Sequence, residues 1–159
     1  LNELENRAKQ AGLMLKDKEY KLVTAESCTG GGLAYAITHI DGSSQWFDRG
    51  FVTYSNEAKH EMLAVSQQII ATFGAVSEEV ALAMAKGALA KSQADISIAV
   101  TGIAGPTGGT AEKPIGIVWL AFASKHFTAK AVLLSLQGNR AHIREQAILL
   151  ALDHLLSLL

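Results

Sequence analysis

Apolar residues recur at helical spacing at the start of the chain. Leu1, Leu4, Ala8, Ala11 and Leu15 share one stripe, which predicts an opening amphipathic helix. Residues 21–25 then read as a short strand, broken by Gly30-Gly31-Gly32, and 33–40 as a helix with small residues on its packing face. Asp41-Gly42-Ser43-Ser44 has turn chemistry. The β-branched and aromatic run at 50–55 predicts a second strand, after which Asn56 is placed to cap a helix starting at Glu57. Ser77, followed by Glu78 and Glu79, opens an Ala-rich helix reaching about Lys91.

Over 95–100, Ile and Val alternate with small residues, the pattern of a strand covered on both faces. After a Gly-rich loop, 115–123 and 129–136 read as two further strands joined antiparallel by a short polar stretch. Asn139 caps a last helix with Ile143, Ala147, Leu150, Ala151, Leu155 and Leu158 on one face. Helices and strands alternate without repeat or linker. The expected fold is therefore one domain over 1–159, a three-layer α/β/α sandwich whose late hairpin makes the sheet mixed.

Composition narrows the function classes. A net charge of −1 supplies no field for nucleic acid or an anionic membrane, so neither is expected as a partner. The lone cysteine, Cys28, excludes an internal disulfide and a thiolate-rich zinc site, and fits a reducing cytoplasm. No signal-peptide order opens the chain and no apolar run is long enough to span a bilayer. The missing initial Met suggests a trimmed chain or a piece of a longer protein. Small size and 49% hydrophobic residues point to a buried sheet and to a homodimer.

Candidate chemistry gathers at strand ends. Ser27 lies between the first strand and a Gly-rich helix start, where open α/β sheets place ligand crevices. Unpaired N–H groups there can hold a phosphate or an oxyanion, and glycines 30–32 let a substrate approach the backbone. Ser27 and Thr29 also fit as simple helix caps. The segment lacks Gly-x-Ser-x-Gly, so it is not an α/β-hydrolase elbow. None of the five histidines sits beside a loop motif.

Lys59 is the other candidate base, in the first turn of a helix whose dipole disfavours the ammonium form. An exposed surface lysine is the ordinary alternative. Tyr54, on the preceding strand, can shuttle or orient a proton. The loop from Thr101 to Thr110 has four glycines and can form an anion nest or a rigid turn. Arg140 is placed to meet a phosphate or carboxylate. No His/Asp/Glu cluster has metal-ligand spacing.

Several segments, in order and across nearly the whole chain, resemble the C-terminal domain of the competence-damage family, CinA. They are Thr-Ala-Glu-Ser-Cys-Thr-Gly-Gly at 24–31, Gly-Phe-Val-Thr-Tyr-Ser-Asn-Glu-Ala-Lys at 50–59 and Gly-Ala-Val-Ser-Glu at 74–78. Thr-Gly-Ile-Ala-Gly-Pro at 101–106, Gly-Gly-Thr at 108–110, Lys113-Pro114 and Gly138-Asn139-Arg140 complete the set. Stand-alone members of that family act as nicotinamide mononucleotide amidohydrolases. The resemblance implies hydrolysis of the nicotinamide carboxamide, within pyridine-nucleotide recycling, by a Ser/Lys dyad with no metal or other cofactor.

It makes Ser27 the nucleophile and Lys59 the base, with Tyr54, Thr101 and Arg140 lining the pocket. Cys28, Thr29, Gly30, Gly31 and Gly102 are the accompanying substrate contacts, and backbone amides of 28–30 the oxyanion donors. Two positions depart from the family pattern: Thr107 and Asn139 stand where aspartates are common. Both remove a negative charge beside the proposed anion site. A non-catalytic phosphate-ligand-binding paralogue, and an amidase for a related small molecule, are the competing readings.

Overall fold

The structure, a computed structural model, describes residues 2–159. Leu1, the first member of the opening stripe, lies outside the described residues. The chain runs α1 (Asn2–Lys18), β1 (Leu22–Glu26), α2 (Gly32–Thr38) and β2 (Phe47–Val52). Three helices follow, α3 (Asn56–Leu63), α4 (Gln67–Phe73) and α5 (Glu78–Ala90). Strands β3 (Ile96–Gly102), β4 (Ile117–Ser124) and β5 (Lys130–Ser135) and helix α6 (Arg140–Leu158) complete it.

One five-stranded sheet has the order β2-β1-β3-β4-β5. β1 pairs parallel with β2 and β3, whereas β3–β4 and β4–β5 are antiparallel. The sheet is thus mixed, as the hairpin pattern requires. The period-2 alternation of a strand sorts its side chains between two cores. Leu22, Ile98, Leu120 and Phe122 face α1, α2 and α6. Val23, Ala25, Ala99 and Ala121 face α3, α4 and α5. Each fully buried Leu, Ile or Phe contributes about 2 kcal/mol.

The second core is built from small residues, so α5 lies close to the sheet. Ser97 Oγ donates to the Ala85 carbonyl in α5 at 2.7 Å. Gly87 lets α5 seat against the end of α3, because a Cβ on it would stand 2.0 Å from the Leu63 carbonyl oxygen.

Three expectations need correction. The second strand is Phe47–Val52 rather than 50–55, because its parallel register with β1 ends at Val52 opposite Glu26. Ser55, not Asn56, caps α3: its hydroxyl accepts the Ala58 N–H at 3.0 Å, and Asn56 is the first helical residue. Helix α4, capped by Ser66, was not anticipated; its seven residues are too few to show an apolar period.

Candidate active site

The alternation along β1 decides where its last side chains go. Glu26 falls on the α2 side and Ser27, the next residue, on the α3 side. Lys59 sits in the first turn of α3, which β2 and Ser55 deliver across the end of β1. Lys59 Nζ stands 2.9 Å from Ser27 Oγ, 2.9 Å from the Thr53 carbonyl and 3.3 Å from the Tyr54 carbonyl. Both residues are buried, Lys59 at 1% and Ser27 at 8% exposure.

Burial lowers the Lys59 pKa from its ordinary value; a negative charge on Cys28 would oppose this. That opposition is idle at neutral pH, because burial pushes the Cys28 thiol up to about 12 and keeps it uncharged. A neutral amine fits its three neighbours: two N–H groups for two carbonyls, and a lone pair for the Ser27 hydroxyl proton. The arrangement can extract a proton from Ser27, as nucleophilic catalysis demands.

Glu26, whose place in the 24–31 segment predicts no role of its own, organises the turn after Ser27. Its carboxyl group is fully buried and accepts from Thr29 Oγ at 2.6 Å, Leu33 N at 2.9 Å and Ala34 N at 3.0 Å. The first-turn donors of α2 are therefore capped from within and closed to a substrate. The glycines have the same explanation. A Cβ on Gly32 would stand 2.6 Å from Ile148 Cδ1, and one on Gly30 3.2 Å from the Arg144 guanidinium. Gly30 and Gly32 admit α6, Gly31 faces Val52 of β2, and none of the three, expected as an approach for substrate, is on the cleft wall.

Thr29, Gly30 and Gly31 accordingly do not line the cleft, and the oxyanion donors expected across 28–30 narrow. The Gly30 N–H donates to the Ser27 carbonyl at 3.0 Å, and the Ser27 N–H to Val100 O at 2.9 Å. Among the described residues neither the Cys28 nor the Thr29 N–H has a protein acceptor, and of these two residues only Cys28 is on the cleft wall.

The cleft itself, about 350 Å³, opens at the carboxyl ends of β1 and β3. This is where the strand order reverses, β1 connecting to one side and β3 to the other. It brings Ser27, Cys28, Lys59 and Tyr54 together with Thr101, Gly102 and Arg140. Ala75, Val76, Ile103 and Thr107 also line it; the first two belong to the family segment 74–78, and no role was expected of them. Thr101 Oγ donates to the Ala75 carbonyl at 2.9 Å, tying that wall to β3.

Tyr54 differs from expectation. The residue is 62% exposed, its phenol oxygen accepts from Arg140 Nη2 at 3.2 Å, and its backbone carbonyl is what touches Lys59. Arg140 also donates to Gly105 O at 2.8 Å, which stations it at the cleft's outer rim. Of the two departures, only Thr107 faces the cleft; Asn139 caps α6, its Oδ1 accepting the His142 N–H at 2.9 Å. Among the described residues no histidine lines the cleft and no group of His, Cys, Asp and Glu is placed to hold a metal.

The CinA C-terminal domain model matches residues 4–159. The chain belongs to that family. It is 51% identical over 144 residues to nicotinamide-nucleotide amidohydrolase PncC of Enterobacter agglomerans, covering 91% of this chain and 88% of that one. Against the protein of the same name from Escherichia coli K12 the identity is 48% over 154 residues, with 97% and 93% covered. The crystal structure of competence/damage inducible protein CihA from Agrobacterium tumefaciens superposes with a TM-score of 0.96 at 44% identity. It covers 98% of this chain and 95% of that one. This CinA-family chain therefore shares nearly its whole length with relatives named for an amidohydrolase, and its fold with a competence/damage inducible protein.

Proposed function

We propose that this chain is a nicotinamide-nucleotide amidohydrolase. It converts nicotinamide mononucleotide and water to nicotinic acid mononucleotide and ammonia, in pyridine-nucleotide recycling. The observation that carries the reading is the 2.9 Å contact between the buried Lys59 Nζ and Ser27 Oγ at the cleft, in a chain so similar to proteins named for this reaction.

The chemistry balances on the residues present. Neutral Lys59 takes the Ser27 proton as Oγ bonds to the carboxamide carbon, and the carbonyl π pair moves onto oxygen. The Cys28 N–H supports that oxyanion. Collapse breaks the C–N bond, and the Lys59 ammonium returns its proton to the departing nitrogen, which leaves as ammonia. Water then attacks the acyl-serine with Lys59 as base, Oγ regains a proton, and the carboxylate departs. Arg140 and Tyr54 at the rim hold the phosphorylated end of the substrate.

A small-molecule nucleotide substrate, a homodimer, a cytoplasmic location and no nucleic-acid or membrane partner belong to the same reading. No helix of the described residues is long and apolar enough to cross a membrane. The experiment is an ammonia-release assay with nicotinamide mononucleotide, nicotinamide and glutamine in parallel. Release from the mononucleotide alone supports the reading. Thermal stabilisation by the mononucleotide without ammonia points instead to a binding module, and release from another amide to a different amidase.

A further inference from the structure

Arg144 has no part in the reaction as described, yet its bonding is unusual for a helix-surface arginine. Its Nε donates to the Cys28 carbonyl at 3.0 Å and its Nη2 to the Thr29 carbonyl at 3.4 Å. Among the described residues it forms no ion pair, although Glu145 is its neighbour in sequence. Both its contacts are thus main-chain oxygens of the two central residues of the turn Ser27–Gly30. Gly30 makes room for it, since a Cβ there would crowd the guanidinium at 3.2 Å.

A four-residue turn has two soft central residues, and the peptide planes they share set what its N–H groups point at. Here the Gly30 N–H closes the turn onto the Ser27 carbonyl. Across the trans peptide, the Cys28 N–H then points the opposite way, out of the turn. That orientation holds only while the central peptides stay put. Glu26 restrains Thr29 through its hydroxyl, and Arg144 restrains the Cys28 and Thr29 carbonyls from the opposite helix. A planar fork bonds two oxygens at once, which a lysine cannot do in the same way. Arg140 stands four residues earlier, on the same face of α6, and reaches the rim of the cleft.

We propose that Arg144 is a positioning residue for the hydrolysis. Its guanidinium clamps the turn that carries Ser27, so the hydroxyl stays aligned with Lys59 and the Cys28 N–H stays aimed at the developing oxyanion. This rests on the amidohydrolase reading above, so one test reads the serine independently of any natural substrate. A fluorophosphonate is attacked by Ser27 Oγ, fluoride leaves, and the same turn must receive the phosphoryl oxygen. Labelling is followed by intact mass for the parent chain, Arg144→Ala and Arg144→Lys, beside ammonia release and thermal melting.

Arg144→Ala lowers kcat about tenfold or more with KM within about twofold, and slows labelling in parallel, as expected when an oxyanion donor loses its aim. Arg144→Lys falls between, and added guanidinium restores part of the Arg144→Ala rate. Labelling and kcat within about twofold of the parent in a folded Arg144→Ala overturns the proposal, as does a loss confined to KM. If Arg144→Ala does not fold, Arg144→Lys decides by the same criteria. A parent chain that labels at Ser27 but releases no ammonia sinks the amidohydrolase reading, while the labelling comparison still judges the clamp.

Discussion

Replacing Lys59 with methionine separates its chemical role from its structural one. The substitution keeps an unbranched four-atom stem and removes the amine 2.9 Å from Ser27 Oγ. Loss of a positioned general base costs on the order of 10²- to 10⁴-fold in rate. Stability changes far less. Burial lowers the Lys59 pKa, so the folded chain carries a cost that methionine escapes. That cost is about 1.4 kcal/mol for each pH unit by which the proton is released early, with a ceiling of about 4.6 kcal/mol at pH 7. Against it, methionine leaves the buried Thr53 carbonyl and Ser27 hydroxyl without this partner, at about 1–3 kcal/mol each, and takes a longer bond from the half-buried Tyr54 carbonyl. The two effects offset to within a few kcal/mol, so Lys59→Met folds while its activity collapses.

The sign of the pH dependence follows from the lowered pKa. Between the folded pKa and about 10.4, the unfolded chain binds more protons than the folded one. The Lys59 contribution to stability therefore rises with pH across that window, is lost as pH falls through it, and is flat below the folded pKa. Denaturant unfolding at several pH values measures it, and Lys59→Met lacks this slope. In the parent, kcat/KM rises with pH through the folded Lys59 pKa, below the usual lysine range. Parallel stability curves for the two chains from pH 7 to 10, or Lys59→Met activity within tenfold of the parent, would refute the assignment.

Other substitutions test the parts around the dyad. Glu26→Gln puts an amide N–H where Ala34 N or Leu33 N now finds an acceptor, and should cost about 2 kcal/mol in urea unfolding. An unchanged unfolding midpoint would mean that Glu26 does not hold the turn. Gly87→Ala drives a methyl into the Leu63 backbone oxygen, which cannot move aside as a side chain tip can. A loss of about 3 kcal/mol or failure to fold is expected, and a neutral result in thermal melting would contradict the close seating of α5. Arg140→Ala removes the rim donor to Gly105 O and the Tyr54 phenol, and should raise KM for the mononucleotide about tenfold with a smaller change in kcat. A fall in kcat at constant KM would place Arg140 in the chemical step instead.

The sheet and its layers were legible because period-2 runs such as 95–100 and the capped helices at Ser77 and Asn139 carry their signal locally. Ser27 and Lys59 could each be named, but nothing local brings them together. Their meeting depends on β2 pairing beside β1 and on the parity that turns Ser27 toward α3. The same parity hid Glu26, whose three partners lie three to eight residues onward and face the other side. Arg144 was invisible for a longer-range reason: its acceptors are main-chain oxygens more than a hundred residues away, which leave no trace in side-chain pattern. Gly30 and Gly32 were read as openings for a substrate because close approach by a helix and by a ligand both require a missing Cβ.

The central claim is that Ser27 forms the covalent intermediate, and peptide mass analysis of acid-quenched turnover addresses it directly. With nicotinamide mononucleotide, the peptide containing Ser27 should carry the acyl adduct, and Ser27→Ala should show no adduct and release ammonia several orders of magnitude more slowly. Near-normal ammonia release by Ser27→Ala would contradict it.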